Sequence, residues 1–352
     1  AKAAKENRCL IEEVGIKALD DLTLVIELEF PTPEFLELLA LSTYSPVHHV
    51  IDKIHPNWSL GKSEDFVCNG PFIIKKVTNH TRYELAKNSF YWDKDQVRIQ
   101  KIFISKDSGF VANEMFKNEE LHWLGQPMRP WDSFIKETSE PLVNFSPMGI
   151  YWCVFNTEKF PFHNANLRQA FDLAIDKNDL TSRVTQDQFP ASTPLPLSHT
   201  MNHDPKRSFG NEEKALELFE LALQELGLTR KTFPLITLNY VNTPLRESAI
   251  SYLVKRWKKL FQIPCRSEGF NFNTLFTKIL RGDYQATGFY WKSNIDNPTY
   301  TLNTFKYGNL DINFSNWSNT EYQNLLDAER GELDEVEKIK YLSKAEQILM
   351  RE

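Results

Sequence analysis

The sequence predicts an α/β protein of two lobes, with mixed sheets flanked by helices. Three observations predict it. The chain has 352 residues, room for two or three domains of about 100–200 residues each. Its 41% hydrophobic and 13% aromatic residues supply a proper core and exclude a disordered chain. Strand-like and helix-like segments alternate between residues 235 and 291, the pattern of a sheet with helices packed on it. A compositional break lies near residue 150, with strand-rich sequence before it and helix-rich sequence after it. The break divides the chain into an N-terminal lobe over 1–152 and a C-terminal lobe over 153–352. Clefts between lobes are where ligands usually sit.

The run 22–30 starts apolar and β-branched, then alternates apolar with acidic residues, and reads as a strand. Pro31 and Pro33 stop it, and Pro33 opens a helix through 34–41, where its missing N–H costs nothing. Strands are expected at 72–77, 83–86 and 99–104, a helix at 110–117 and a strand at 120–124. The aromatic run 151–155 is apolar throughout and is expected to be buried on both faces. A helix follows over 164–175, with Asn164 or Asn166 as its cap. Asn211 caps the next helix, whose Leu216, Phe219, Leu223 and Leu226 recur at 3–4 spacing, and Gly227 ends it. Then come strand 235–241, helix 245–261, strand 265–270, helix 273–281 and strand 285–291. Helices at 321–329 and 334–350 close the pattern. The Pro-rich stretch 189–196 reads as a loop.

Composition excludes several functions. Lysine and arginine number 41 against 47 aspartates and glutamates, a formal charge of −6, and no basic cluster suits nucleic acid. No run approaches the roughly 18–20 apolar residues needed to span a bilayer. Cys9, Cys68, Cys153 and Cys265 are widely spread, so no zinc-type ligand pair exists. They read as separate buried or partly buried thiols, with one long-range disulfide open if the protein is exported. Residues 1–5 lack the apolar stretch of a signal peptide, and the helical pattern at Met350 carries no stop signal. The chain reads as cut at both ends.

Catalytic signatures are missing. The 13 glycines never fall as G-x-G, and no phosphate loop, G-x-S-x-G elbow or H-E-x-x-H helix appears. His48, His49 and His55 form the only histidine cluster, but adjacent residues share no helix face, and an exposed loop pair explains them better than a metal site. Carboxylates such as Glu212-Glu213 and Asp334-Glu335 read as solvated helix faces. No cofactor, metal or catalytic residue is predicted. Aromatic density remains: Tyr151, Trp152, Phe289, Tyr290 and Trp291 crowd two predicted strands. Large amphipathic rings suit a wide, partly wet binding cleft; each ring alone reads sooner as core, and their concentration in two strands raises the binding reading for Trp291 in particular.

Four stretches resemble the extracellular solute-binding proteins of family 5, the large class serving oligopeptide and dipeptide ABC importers. The first is Gly15-Ile16-Lys17-Ala18-Leu19-Asp20-Asp21-Leu22-Thr23-Leu24 with Pro31-Thr32-Pro33-Glu34-Phe35-Leu36. The second is Cys68-Asn69-Gly70-Pro71-Phe72 with Asn88-Ser89-Phe90-Tyr91-Trp92-Asp93 downstream. The third and most specific is Asn156-Thr157, Pro161-Phe162, Leu167-Arg168-Gln169-Ala170-Phe171 and Ala174-Ile175-Asp176. The fourth is Trp291, Asn297-Pro298 and Lys344-Ala345-Glu346-Gln347-Ile348-Leu349. They keep the family's order and spacing from about residue 15 to the end.

The resemblance implies a two-lobed periplasmic-binding-protein fold that closes by hinge bending over an extended peptide, held main chain to main chain. It implies an incomplete first lobe and a second lobe without its final crossing back. The strand 151–155 would be a hinge crossing and 289–292 the strand facing the peptide backbone. The implied ligand-binding set is Tyr151, Trp152, Phe289, Tyr290, Trp291, Lys292, Asn294 and Asp296. The implied partners are an oligopeptide and the permease subunits of the importer, with a monomeric, non-enzymatic receptor in the periplasm or anchored as a cell-surface lipoprotein.

One departure stands out. Peptide-binding relatives place an aspartate three residues after the tryptophan, facing the ligand's α-ammonium, and here that position is Asn294. Losing that charge partner costs about 2–5 kcal/mol if nothing compensates. Asp296 could take the role, or another acid, or the ligand lacks a free amine. The last case keeps open the same fold carrying a metal chelate or another small solute. A peptide hydrolase would need a nucleophile or metal, and a chaperone-like receptor would prefer unfolded chains to short peptides.

Overall fold

The first described elements are two short strands, β1 (Ile16–Ala18) and β2 (Leu24–Ile26), paired antiparallel. The structure, a computed structural model, describes residues 14–55, 57–60, 66–79, 81–107, 109–125, 149–185, 188–308 and 312–352. Asp20 shapes the turn by accepting hydrogen bonds from the Leu22 N–H and the Thr23 hydroxyl at 2.8 and 2.9 Å. The single strand expected over 22–30 is therefore corrected to three paired residues. Both strands are largely exposed, and a ribbon with no buried face has little to extend it. Beyond the prolines, α1 (Phe35–Leu39) forms as the sequence predicts.

Residues 14–38 and 149–352 belong to one compact unit and 39–125 to a second. In the second unit, α2 (His49–Ile54) was not foreseen. His48 is its N-cap and accepts from the Ile51 N–H at 3.4 Å, so the histidine pair reads as helix-start chemistry. An antiparallel sheet follows in the order β3 (Phe72–Thr78), β4 (Arg82–Lys87) and β5 (Lys101–Ser105). Helix α3 (Gly109–Lys117) ends with Glu119 in the left-handed region at φ 60°, and the Glu120 N–H closes on the Met115 carbonyl at 2.8 Å. The strand expected at 120–124 does not form, since its first residue is spent on this helix stop.

In the first unit the chain runs from β6 (Gly149–Phe155) into α4 (Ala165–Leu173) and α5 (Lys177–Leu180), then α6 (Glu212–Leu226). The alternation follows as predicted: β7 (Ile236–Val241), α7 (Pro244–Phe261), β8 (Cys265–Phe270), α8 (Phe272–Leu280) and β9 (Ala286–Lys292). Helices α9 (Pro298–Asn303), α10 (Thr320–Gly331) and α11 (Glu335–Arg351) close it. The strands assemble in the order β6-β9-β7-β8, with β7 parallel to β8 and β9, and β6 antiparallel to β9.

The cap assignments hold. Asn164, not Asn166, caps α4 by accepting from the Leu167 N–H at 2.8 Å, while Asn166 donates to Glu225. Asn211 accepts from the Lys214 N–H, and Gly227 ends α6 at φ 65°. The main core gathers Phe171, Phe219, Ile236, Leu238, Trp257 and Phe261, all almost fully buried. Strand β6 is packed on both faces, as expected. Tyr151, Cys153 and Phe155 lie on that core, while Ile150, Trp152 and Val154 form a second cluster with Ala191, Phe289, Trp291, Phe305 and Phe314. Cys68, Cys153 and Cys265 are free thiols, with burial pushing the latter two up to about 12, and Cys9 lies outside the described residues.

Two glycines lie against tyrosine rings in the β6–β9 pair. A Cβ on Gly288 would run into the Tyr151 hydroxyl and approach Ile250 Cδ1 at 3.1 Å, and one on Gly149 would meet the Tyr290 hydroxyl. The environments differ: Tyr151 is wedged against the core, whereas Tyr290 is 48% exposed and can swing aside. Gly288→Ala is expected to cost about 1–3 kcal/mol and Gly149→Ala less than about 1 kcal/mol. Urea titration of both variants checks this; equal losses would show that Tyr290 is as fixed as Tyr151.

Candidate ligand-binding surface

Register places the candidate residues on two faces of one ribbon. The pairs are Tyr151 with Tyr290, Trp152 with Phe289, Ile150 with Trp291 and Gly149 with Lys292. Directly opposed residues share a face. Trp152 therefore joins Phe289 and Trp291 on one side, and Tyr151 joins Tyr290 on the other.

Trp152 and Trp291 stack at 5.7 Å with 11° between their planes, and Trp152 also meets Phe305 at 5.0 Å. Trp152 is buried and its indole N–H donates to the Pro194 carbonyl at 2.8 Å. Trp291 is half-buried and donates to Thr301 Oγ1 at 3.4 Å. Phe289 lies edge-on to Phe314 at 4.6 Å. On the opposite side, the Arg246 guanidinium sits 3.9 Å from the Tyr151 ring centroid and 5.7 Å from that of Tyr290. Burial raises the Tyr151 phenol far above its ordinary value despite the Arg246 charge, and its hydroxyl has no hydrogen-bond partner among the described residues.

The backbone is as informative as the rings. The β9 ladder with β6 runs the full strand from Ala286 to Lys292, but its ladder with β7 covers only Ala286 and Thr287. Among the described strands, none pairs with the other edge of β9 beyond Thr287. Residues 288–292 thus have no strand partner on that side among the described strands, next to Tyr290 and Trp291.

After β9 the chain alternates. Lys292, Asn294 and Asp296 are exposed, while Ser293 and Ile295 are buried. Ser293 Oγ donates to the Ile295 carbonyl at 2.5 Å and accepts from its N–H at 3.3 Å. Asp296 Oδ1 lies 2.7 Å from His199 Nε2. Asn297 caps α9 through the Thr299 N–H, with Pro298 in the first turn, and its amide donates to Glu34 at 2.9 Å. Sequence reasoning missed His199 and Arg246. Arg246 precedes its aromatic partner Tyr290 by a whole helix and strand, and His199 is separated from Asp296 by 97 residues. No local signal marks either. Among the described residues, no group of three or more His, Cys, Asp or Glu side chains is placed to hold a metal ion.

Comparison with known proteins gives this surface its setting. A family model described as bacterial extracellular solute-binding proteins, family 5 Middle, matches residues 2–311. The chain belongs to family 5 of the bacterial extracellular solute-binding proteins. It is 32% identical to the oligopeptide-binding protein OppA of Bacillus subtilis over 362 residues, covering all of this chain and 66% of that protein. It is 28% identical to the dipeptide-binding protein DppE of the same organism, covering 97% of this chain and 63% of that one. A crystal structure of a periplasmic oligopeptide-binding protein from Borrelia burgdorferi superposes with a TM-score of 0.83 at 25% identity, covering 99% of this chain and 69% of that chain. The fold class is that of these two-lobed family 5 proteins, as the sequence predicts, and the chain spans about two thirds of the length of the curated relatives it matches. No described helix is long and apolar enough to cross a membrane.

A buried carboxyl anchors the helices behind the 293–297 segment of this family 5 chain. Glu329 accepts from Thr299 Oγ1 at 3.1 Å. Burial raises its carboxyl above the ordinary glutamate value, and nearby Glu34 adds to the rise against Thr299, Lys338 and Lys306. A raised folded-state value means that ionisation opposes folding. The penalty is absent below the unfolded value and complete above the folded one. Glu329→Gln is therefore expected to raise the melting temperature near about pH 7 and to leave it unchanged near about pH 4. A loss of stability at neutral pH would contradict the assignment.

Proposed function

We propose that this protein captures oligopeptides and hands them to the membrane permease subunits of an ABC importer. One observation carries the reading: no described strand pairs with residues 288–292 of β9 on the side away from β6, beside half-buried and exposed aromatic rings. An extended peptide can add to such an edge as a further strand, with main-chain hydrogen bonds giving affinity independent of side chains. Tyr290, Trp291, Lys292, Asn294 and Asp296 then contact the ligand, with Phe289 beside them. Tyr151 and Trp152 on β6 support the strand from behind. The Bacillus subtilis relatives, an oligopeptide-binding and a dipeptide-binding protein, support the same cargo. On this reading the receptor works as a monomer in the periplasm or at the cell surface, lipid-anchored in the latter case, and releases its ligand unchanged.

Calorimetric titration with unrelated tri- to pentapeptides tests the reading. Several sequences are expected to bind within about one order of magnitude, and N-methylation of a central peptide bond to weaken binding about tenfold or more. Equal affinity for the N-methylated peptide would remove the backbone-directed mode. Binding of a metal chelate or another small solute in place of every peptide would mean the same fold carrying a different cargo.

A further inference from the structure

Helix α11 carries one buried residue that apolar packing does not explain. Leu342, Ala345 and Ile348 pack against Leu195, Leu302 and Tyr322, and Glu346 on the same helix is 0% exposed. One carboxylate oxygen, Oε2, accepts three N–H groups. They come from the Met201 backbone at 3.1 Å, the Asn202 backbone at 2.8 Å and the Asn202 side-chain amide at 2.6 Å. The other oxygen, Oε1, has no hydrogen-bond partner among the described residues. Asn202 is gripped further. Its amide donates to the Ser343 carbonyl at 2.8 Å, and its oxygen accepts from Ser343 Oγ and Gln347 Nε2 at 3.0 and 2.9 Å. A buried carboxylate bonded through one oxygen only is an unfavourable core residue. What it secures is the position of residues 201–202.

Those residues close the Pro-rich stretch that begins after residue 188. Upstream, Leu195 is buried with Leu302 and Tyr322, and Ala191 packs on the Ile150–Trp152–Val154 cluster. Between them the Pro194 carbonyl accepts the Trp152 indole N–H at 2.8 Å. Thr193 and Thr200 hydrogen-bond through their hydroxyls at 3.0 Å and tie the two ends of the stretch together. We infer that Glu346 is a positioning residue for ligand binding: it clamps this strap, and the strap fixes the Trp152 ring on which Trp291 stacks. This rests on the reading that Trp291 contacts a peptide. A ring already ordered in the free protein loses little freedom when the ligand arrives, so a fixed stack favours binding by preorganisation. Among the described residues no hydrogen bond joins Glu346 to Trp152 directly. The strap is the hydrogen-bonded connection between them.

Calorimetric titration with one pentapeptide, well below every melting transition, tests the assignment. Glu346→Leu removes the acceptor and is expected to weaken binding about fivefold or more. Glu346→Gln keeps an oxygen for both backbone N–H groups and is expected to stay within about twofold of wild type. Trp152→Phe removes the indole N–H that the strap holds. In that background Glu346→Leu is expected to have no further effect, because the connection is already cut. A substitution that only loosens the fold gives the same loss with and without the indole. Should Glu346→Leu not fold, Asn202→Ala opens the same clamp from the strap side, with the same expectations. Unchanged affinity in the clamp variant, or an equal loss in the Trp152→Phe background, overturns the role of Glu346. So does a loss in Glu346→Gln as large as in Glu346→Leu. Binding of no peptide by wild type defeats the peptide reading on which the inference stands, and so separates the two failures.

Discussion

Trp257→Ala is expected to remove about 3–5 kcal/mol of folding stability, a large share of what a domain of this kind possesses. The indole is 1% exposed at the centre of the main core. Its ring packs 4.8 Å from Phe171 and 6.2 Å from Phe155, so its removal opens a void between α4, α7 and β6. Its N–H donates to the Phe171 carbonyl at 2.9 Å. Alanine adds an orphaned acceptor to the cavity, and Trp257→Phe refills part of the space while still orphaning the carbonyl. The phenylalanine variant should therefore fall between wild type and alanine. Urea unfolding followed by far-ultraviolet circular dichroism measures all three. A loss below about 1 kcal/mol for alanine would mean that the core closes over the void.

Trp291→Ala is expected to weaken peptide binding by about 30-fold or more, about 2 kcal/mol, the scale of an aromatic hot spot. The ring stands on the part of β9 that no described strand pairs on its second edge, held by its stack on Trp152 and its bond to Thr301. Removing it takes away contact area and frees Trp152 to turn. The exposed Phe272, on α8, serves as control: Phe272→Ala also removes a large ring and should leave affinity unchanged. Affinities compared below both melting transitions keep stability out of the reading. Unchanged affinity in Trp291→Ala would make this ring part of the core alone.

Much of this arrangement is legible in the sequence because the chemistry that fixes it is local. Asn211 and Gly227 mark the ends of α6 by bonds to residues within one turn, and Asn297-Pro298 marks the start of α9 in the same way. The alternation from β7 to β9 is written in hydrophobic period and turn residues. What stayed hidden depends on partners far along the chain. Nothing near residues 22–30 says that the pairing strand is three residues long, and nothing near Glu120 says that its N–H will close α3. The contrast between Trp152, absorbed into a cluster, and Tyr290, left 48% exposed, follows from which face of the ribbon each occupies, and that is set by register. The clasp between His199 and Asp296 joins a loop to a strand end. A proline-rich composition shows that the loop exists, but not what it holds.

On the proposed function, this family 5 chain carries peptides. Native mass spectrometry of the protein as purified, followed by denaturation and identification of what is released, tests it most directly. A heterogeneous set of short peptides is the predicted result. A single non-peptide species or a metal complex, released stoichiometrically, would contradict it.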